Sequence, residues 1–336
     1  MERNTLLAIL LACATNLFSQ TYTFTAGMGA LKVGEYADME TALEDSLNVI
    51  ALNLSWDYHY CRDKKKYSAL PASIKHLRNL KYLNIDFCDL TELPPEIGDL
   101  TNLEEISIRR NYLSKLPAEI GKLKKLKYLD LVLNQLNTLP KEIGALTSLE
   151  TLILGHNPLT GLPNEISHLP NLRFLKLQGL NTNTSEQLTL TYSKVLPNLK
   201  SAADSINYLK LEQSQFNWAD LFNKLAGIKS LETLDIHACH IQELAPEIGK
   251  ISSLKQLYLG ENAITKLPDE IKALTHLEQL YFSQWGDDYS SWSNVEKRRA
   301  KKLLPHCKIL LIDYFGPTCG RDKKYRHIIK ARRSKK

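Results

Sequence analysis

Residue types that ligate metals occur close together at one place in the sequence, where residues 237–240 read HACH. Histidine and cysteine are the usual protein ligands of zinc. The repeat pattern described below, however, directs His237 to the outside of the fold and Cys239 to its interior. We therefore expect the two side chains to point apart, and we predict no metal site here.

No other pattern predicts catalysis. Gly27, Gly29 and Gly34 are not followed by the helix that a phosphate-binding loop requires. The sequence contains no G-x-S-x-G, H-E-x-x-H or Walker motif. We predict that the protein is not an enzyme and needs no cofactor.

A unit of 23 residues recurs along the chain. From Arg78 it reads RNLKYLNIDFCDLTELPPEIGDL, TNLEEISIRRNYLSKLPAEIGKL, KKLKYLDLVLNQLNTLPKEIGAL and TSLETLILGHNPLTGLPNEISHL without a register slip. It returns at Lys229 and Ser252, and a partial unit opens at Thr275. A fixed period in this range is the signature of a solenoid built from stacked coils.

Each unit divides into a strand and a turn. The middle segment, for example Leu83-Asn84-Ile85, alternates apolar and polar residues as a strand with one buried face does. The second half, LPxEIGxL, places proline before a short helical turn, where its fixed φ is favourable. The glutamate of this segment suits the first turn of a helix. We predict an α/β solenoid with one parallel sheet.

One position of the unit is predicted to lie inside the turn and bond its backbone amides. Buried backbone groups need such partners, and asparagine side chains supply them. Cysteine fills the position twice, and we interpret these cysteines as structural. The residues of this ladder are Cys88, Asn111, Asn134, Asn157, Cys239 and Asn262.

The pattern L-x-x-L-x-L-x-x-N/C-x-L followed by LPxEIGxL resembles leucine-rich repeats of the Ras-suppressor and plant Ras-group class, over roughly residues 48–283. The resemblance implies a leucine-rich-repeat solenoid with a curved parallel β-sheet on its concave face and short helices or turns on its convex face. It also implies a protein-binding scaffold.

The N-terminal 20 residues, MERNTLLAILLACATNLFSQ, have the layout of a secretory signal peptide. The segment Leu10-Leu11-Ala12-Cys13 resembles a bacterial lipobox, so lipidation of Cys13 is an alternative to simple cleavage. We predict an exported bacterial protein, found in the periplasm, at the cell surface or secreted. The alternative is a cytoplasmic signalling scaffold of the Ras-group kind.

The repeat array is predicted over residues 48–284, after an N-terminal extension and cap at 21–47 that contains a helix from Met39 to Ser46. Residues 170–228 break the period, and we interpret them as two irregular units with a strand at 208–211. A C-terminal cap at 285–315 is predicted to contain a helix from Ser293 to about Leu304 and a strand from Lys308 to Ile312. Cys307 and Cys319 form a disulfide or remain small buried side chains.

Residues 316–336 form a basic tail with nine positive charges and one negative charge. The chain as a whole carries +6, so the remainder is near −2 and gives no electrostatic reason to expect specific binding of nucleic acid. The tail is either a solvated terminus, a contact for an anionic polymer or membrane, or a partner-binding segment.

The outward side chains of the strands predict where a partner binds. Aromatic and arginine side chains on a rigid surface are typical anchors of protein interfaces, although aromatic residues also favour strands for packing reasons alone. We predict a monomer that binds a protein partner, or less probably a glycan or the cell envelope, through its concave face. The predicted residues are Tyr82, Asp86, Arg109, Tyr128, Asp130, Phe174, Lys176, Tyr208, Asp235, Tyr258 and Tyr281.

Overall fold

A computed structural model describes residues 35–55, 69–180, 216–284 and 293–313. Eleven strands of these residues form one parallel sheet in which the spatial order follows the chain order. The strands are β1 (Glu35–Tyr36), β2 (Ala51–Asn53), β3 (Tyr82–Asn84), β4 (Glu105–Ser107), β5 (Tyr128–Asp130), β6 (Thr151–Ile153), β7 (Phe174–Lys176), β8 (Thr233–Asp235), β9 (Gln256–Tyr258), β10 (Gln279–Gln284) and β11 (Lys308–Asp313).

The predicted turns are 3₁₀ helices. In each regular coil they follow a proline or alanine with extended backbone, which starts the turn. The apolar residues of LPxEIGxL close the core: Leu93 is 5% exposed, and Ile97 and Leu100 are fully buried. The 3₁₀ helices span Ala72–His76, Pro95–Asp99, Ala118–Lys122, Lys141–Ala145, Asn164–His168, Pro246–Lys250 and Asp269–Ala273.

Glycine in the EIG segment permits neighbouring turns to approach closely. A Cβ atom added to Gly121 would lie 2.7 Å from the carbonyl oxygen of Glu142 and 2.8 Å from its Cβ. Gly98, Gly144 and Gly249 meet the corresponding glutamate of the next coil in the same way. The repeated glycine therefore sets the spacing of the coils on the side opposite the sheet.

The irregular segment is one long coil and not two. Strand β7 pairs directly with β8, with Phe174 opposite Thr233 and Lys176 opposite Asp235. The prediction of two units with an intervening strand in the sheet was therefore wrong; residues 208–211 themselves lie outside the described residues. Helix α2 (Trp218–Leu225) occupies the place of the 3₁₀ turn in this coil and buries Phe222 completely.

Charged residues at the start of the strands support this neighbour relation. Positive and negative residues alternate from one coil to the next, and Arg173 Nη2 lies 2.9 Å from the Glu232 carboxylate across the long coil. Glu232 also pairs with Lys255 at 3.2 Å. We call this row the charge ribbon; its members are Lys81, Glu104, Lys127, Glu150, Arg173, Glu232, Lys255 and Glu278.

Short helices flank the array at both ends. Helix α1 (Met39–Glu44) begins after Asp38, whose side chain accepts a hydrogen bond from the Thr41 amide at 2.9 Å. It is shorter than the predicted helix but starts where predicted. Helix α3 (Asn294–Leu303) is capped by Ser293, as predicted from the sequence, and β11 starts at the predicted Lys308.

Helix α3 is attached to the last 3₁₀ turn by charged side chains. The buried Glu296 accepts a hydrogen bond from the Leu267 amide at 3.1 Å. Arg299 donates to the Leu267 carbonyl at 2.7 Å and to Glu296 at 2.9 Å, and it also pairs with Asp269. These contacts give the final turn partners that a following coil would otherwise supply.

Several predicted features lie outside the described residues: the signal peptide, Cys13, Tyr208, Cys319 and the basic tail. Cys307 is half-buried against the core. No helix among the described residues is both long and apolar enough to cross a membrane.

Candidate partner-binding face

The outward side chains of β3–β10 form three rows across the sheet, which we call the open face. Each row follows the strand register, so its members lie about 4.8 Å apart from strand to strand. The first row is Tyr82, Glu105, Tyr128, Thr151, Phe174, Thr233, Gln256 and Gln279, and the second is Asn84, Ser107, Asp130, Ile153, Lys176, Asp235, Tyr258 and Tyr281. The third, two residues further on, is Asp86, Arg109, Val132, Gly155, Gln178, His237 and Gly260.

The predicted residues on β3–β5 form one hydrogen-bonded cluster. Asp86 accepts hydrogen bonds from Ser107 Oγ at 2.8 Å and from the Arg109 amide at 2.7 Å. Arg109 Nε lies 3.4 Å from the Asp130 carboxylate, which also accepts the Tyr128 hydroxyl at 3.0 Å. The acidic residues therefore hold Arg109 and Tyr128 in fixed positions.

Burial alters the ionisation of this cluster. Asp130 is 2% exposed. Burial raises its pKa above the usual range, although the charge of Arg109 opposes the shift. Burial also raises the pKa of Tyr128, and the negative charge of Asp130 adds to the effect. Tyr128 thus remains a neutral hydrogen-bond donor.

Lys176 lies on β7, between two strands that carry other charged or buried groups. It stands directly opposite Asp235 in the sheet register. Burial lowers the pKa of Lys176, and the charges of Asp235 and Asp130 act against that change. Asp235 is 3% exposed and bonds the Nδ1 atom of His237 at 2.6 Å.

The two histidines near this lysine titrate in opposite directions. Burial disfavours protonated His237, but the hydrogen bond and charge of Asp235 outweigh it, so the pKa of His237 is raised. Burial and the charges of His237 and Arg110 lower the pKa of His156. Next to them, the buried Gln178 Oε1 has no hydrogen-bond partner in the described structure.

The HACH segment is arranged as the repeat predicts. His237 bonds Asp235 on the open face, whereas the Cys239 thiol lies in the interior, 3.3 Å from the Leu177 carbonyl. Burial raises the pKa of Cys239, so it stays a protonated thiol. Within the residues described, no three His, Cys, Asp or Glu side chains are grouped so that they could hold a metal.

The aromatic residues at the C-terminal end of the face support each other. The rings of Tyr258 and Tyr281 stack with centroids 4.1 Å apart and planes inclined by 3°. Tyr281 is only 7% exposed, so its main contact is with Tyr258. In the middle of the sheet, the guanidinium of Arg173 lies 5.3 Å from the Phe174 ring.

Tyr208 was predicted to continue the open face between Phe174 and Thr233. The direct pairing of β7 with β8 leaves no place for another strand there. Tyr208 itself lies outside the described residues. The structure thus brings together ten of the eleven predicted side chains on one sheet face and corrects the expected position of the other.

Sequence reasoning passed over two exposed features. Glu105 lies in the first row between two tyrosines, in a place where polar residues looked ordinary. Phe87 is 42% exposed just beyond β3, and the Arg110 guanidinium lies 5.1 Å from its ring. Phenylalanine at a position that other units fill with arginine, leucine or histidine was the available signal.

The ladder residues point inward behind this face. Asn111 Oδ1 accepts hydrogen bonds from the amides of Cys88 and Leu90 at 3.0 and 2.9 Å. Asn262 makes the equivalent bonds to the Cys239 and Ile241 amides, both at 3.0 Å. The preceding residue has left-handed backbone in each case; the residues are Phe87, Arg110, Leu133, His156, Ala238 and Glu261. This conformation turns the ladder side chain away from the open face.

Comparison with known proteins agrees with this architecture. A family model described as a leucine-rich repeat region matches residues 49–202, and a second, described as a leucine rich repeat, matches residues 229–284. The chain is a leucine-rich-repeat protein. No curated protein matches its sequence.

Solved structures with the same fold differ widely in role. The leucine-rich-repeat domain of the type III effector XopL is 23% identical, with a TM-score of 0.57, and the match covers 81% of this chain and 79% of that one. A TDR receptor is 21% identical, with a TM-score of 0.53, and the match covers 82% of this chain but only 44% of the receptor chain. At these identities the likeness shows the solenoid fold alone.

Proposed function

We propose that this leucine-rich-repeat protein is a non-catalytic scaffold that binds another protein through its open face. The observation that carries the proposal is the cluster on β3–β5, where acidic side chains are committed to holding Tyr128 and Arg109 in place. Side chains fixed before binding lose less conformational entropy when a partner docks, and tyrosine and arginine are the common anchors of interfaces.

The ionised groups of the face have structural tasks in this proposal. Asp86, Asp130 and Asp235 each bond a neighbouring side chain or amide, so they orient other groups and do not serve as the main contacts. The contacts fall to half-exposed side chains, namely Tyr82, Tyr128, Phe174 and Tyr258, with the exposed Arg109. A reaction would require a nucleophile or a proton acceptor that is not already bonded in this way.

Site-specific photo-crosslinking tests the binding face. Benzoylphenylalanine placed at Phe174 is expected to capture a partner from the native source, whereas the same group at Lys122, on a 3₁₀ turn, is not. The Tyr128→Ala and Phe174→Ala double variant should lose that partner while its thermal unfolding still shows a folded array. Equal capture from both positions, or full binding by the double variant, would refute the assignment of the face.

We also propose that the protein is exported, on the basis of the signal-like pattern of its first 20 residues. Mass spectrometry of the protein isolated from its native source tests this proposal. Loss of the leader, with or without a lipid on Cys13, is expected. An intact Met1 would instead favour the cytoplasmic scaffold of the Ras-group kind.

A further inference from the structure

Glu105 lies between two tyrosines on the open face. The sheet register places Tyr82, Glu105 and Tyr128 directly beside one another on three adjacent strands. Their chain neighbours Ile106 and Leu129 are fully buried, so the three side chains point to the opposite face. With strands about 4.8 Å apart, the carboxylate has an aromatic ring on each side.

This carboxylate has no cation. In the described structure Glu105 takes part in no side-chain hydrogen bond or ion pair. The nearest lysines serve the charge ribbon instead: Lys127 Nζ lies 2.9 Å from Glu104, and Lys81 Nζ lies 3.7 Å from it. Half-burial and the negative charge of Glu104 raise the pKa of Glu105. A cation arriving at this position would therefore relieve an unfavourable charge.

The flanking ring of Tyr128 is held in place. Its hydroxyl donates to the buried Asp130 carboxylate at 3.0 Å, and Asp130 is fixed in turn by the Val132 amide at 3.1 Å. A cation is attracted to the face of an aromatic ring within about 6 Å of its centroid. A planar guanidinium also matches a carboxylate and stacks on aromatic rings, which an ammonium does less well.

We propose that Glu105, with Tyr82 and Tyr128, forms the subsite for an arginine side chain of the protein partner. The inference rests on the proposed function of the open face and adds the chemistry of one of the partner's anchor residues. It follows from the placement of one unpaired carboxylate between two rings, on a face where the other acidic residues already have partners.

Binding of short peptides to the full chain tests the subsite. The probes are acetyl-Ala-Arg-Ala-amide and its neutral counterpart with citrulline in place of arginine, titrated while the tyrosine ring signals are followed by NMR. We expect the arginine peptide to shift the signals of Tyr82 and Tyr128 and to bind about tenfold more tightly than the citrulline peptide. Equal binding of the two peptides would overturn the proposal.

Two variants that differ by one position separate the subsite from general electrostatics. Glu105→Gln should remove the preference for arginine, whereas Glu104→Gln, in the charge ribbon, should keep it. Because Glu105 has no ion pair to lose, Glu105→Gln should unfold no earlier than the wild type, so loss of binding cannot be attributed to loss of fold. A Glu105→Gln protein that retains the arginine preference refutes the inference. If crosslinking through Phe174 still succeeds in that case, the binding face stands and only the arginine subsite falls.

Discussion

Replacing Asn134 with alanine should destabilise the array through the turn behind the open face. Asn134 is 6% exposed; its Oδ1 accepts from the Leu113 amide at 3.1 Å, and its Nδ2 donates to the Ile108 carbonyl at 2.7 Å. Its third partner, the Leu131 carbonyl, keeps a bond from Asn157 at 2.9 Å. The variant therefore deprives one buried amide and one buried carbonyl of this partner.

Each of these losses costs about 1–3 kcal/mol, so we expect the free energy of unfolding to fall by about 3 kcal/mol. Urea denaturation followed by circular dichroism measures the change. Hydrogen exchange of the Leu113 amide should accelerate more than exchange elsewhere, because that amide loses its acceptor. Asn134→Cys should lose less, since the thiols of Cys88 and Cys239 bond backbone carbonyls in the same position.

The control is Asn171→Ala. Asn171 is exposed, and its Nδ2 bonds the Thr147 carbonyl at 2.8 Å, where water can replace it. We expect a loss below about 1 kcal/mol. If Asn134→Ala costs no more than Asn171→Ala, the inner ladder does not stabilise the solenoid in the way argued here.

Three further predictions concern the coil spacing, the histidines and the charge ribbon. Gly121→Ala should lose about 1–3 kcal/mol in urea denaturation because its Cβ has no room, whereas Gly161→Ala, with nothing within 4 Å, should lose none. In an NMR titration His237 should protonate at a higher pH than His156. The raised pKa of His237 means that its contribution to stability is complete below about pH 6.5 and is lost as the pH rises through its folded value, and His237→Gln should remove that loss. The lowered pKa of His156 gives the opposite sign, with stability falling as the pH drops below about 6.5. Glu232→Lys should cost about 1 kcal/mol at low salt and less in 1 M NaCl, and a loss independent of salt would show that the ribbon is not acting through charge.

The repeat made most of the fold predictable. A 23-residue period carries its own alignment, so the strands, the turns and the inward ladder position could each be read several times over. Cys88 and Cys239 could be placed in the ladder because they stand where other units have asparagine. Those two units follow the two long coils of the array, so the departure in sequence marks a departure in the coil before it.

The sequence by itself determined which face each side chain of a regular strand takes, because alternation and the period leave one solution that buries the leucines. Only the tertiary structure decided which strands are neighbours across the long coil, since loop closure tolerates 59 residues between Phe174 and Thr233 as one coil or as two. It also decided which charges are paired. Asp86, Asp130 and Asp235 have partners and Glu105 has none, and that difference depends on distances between coils that no single repeat contains.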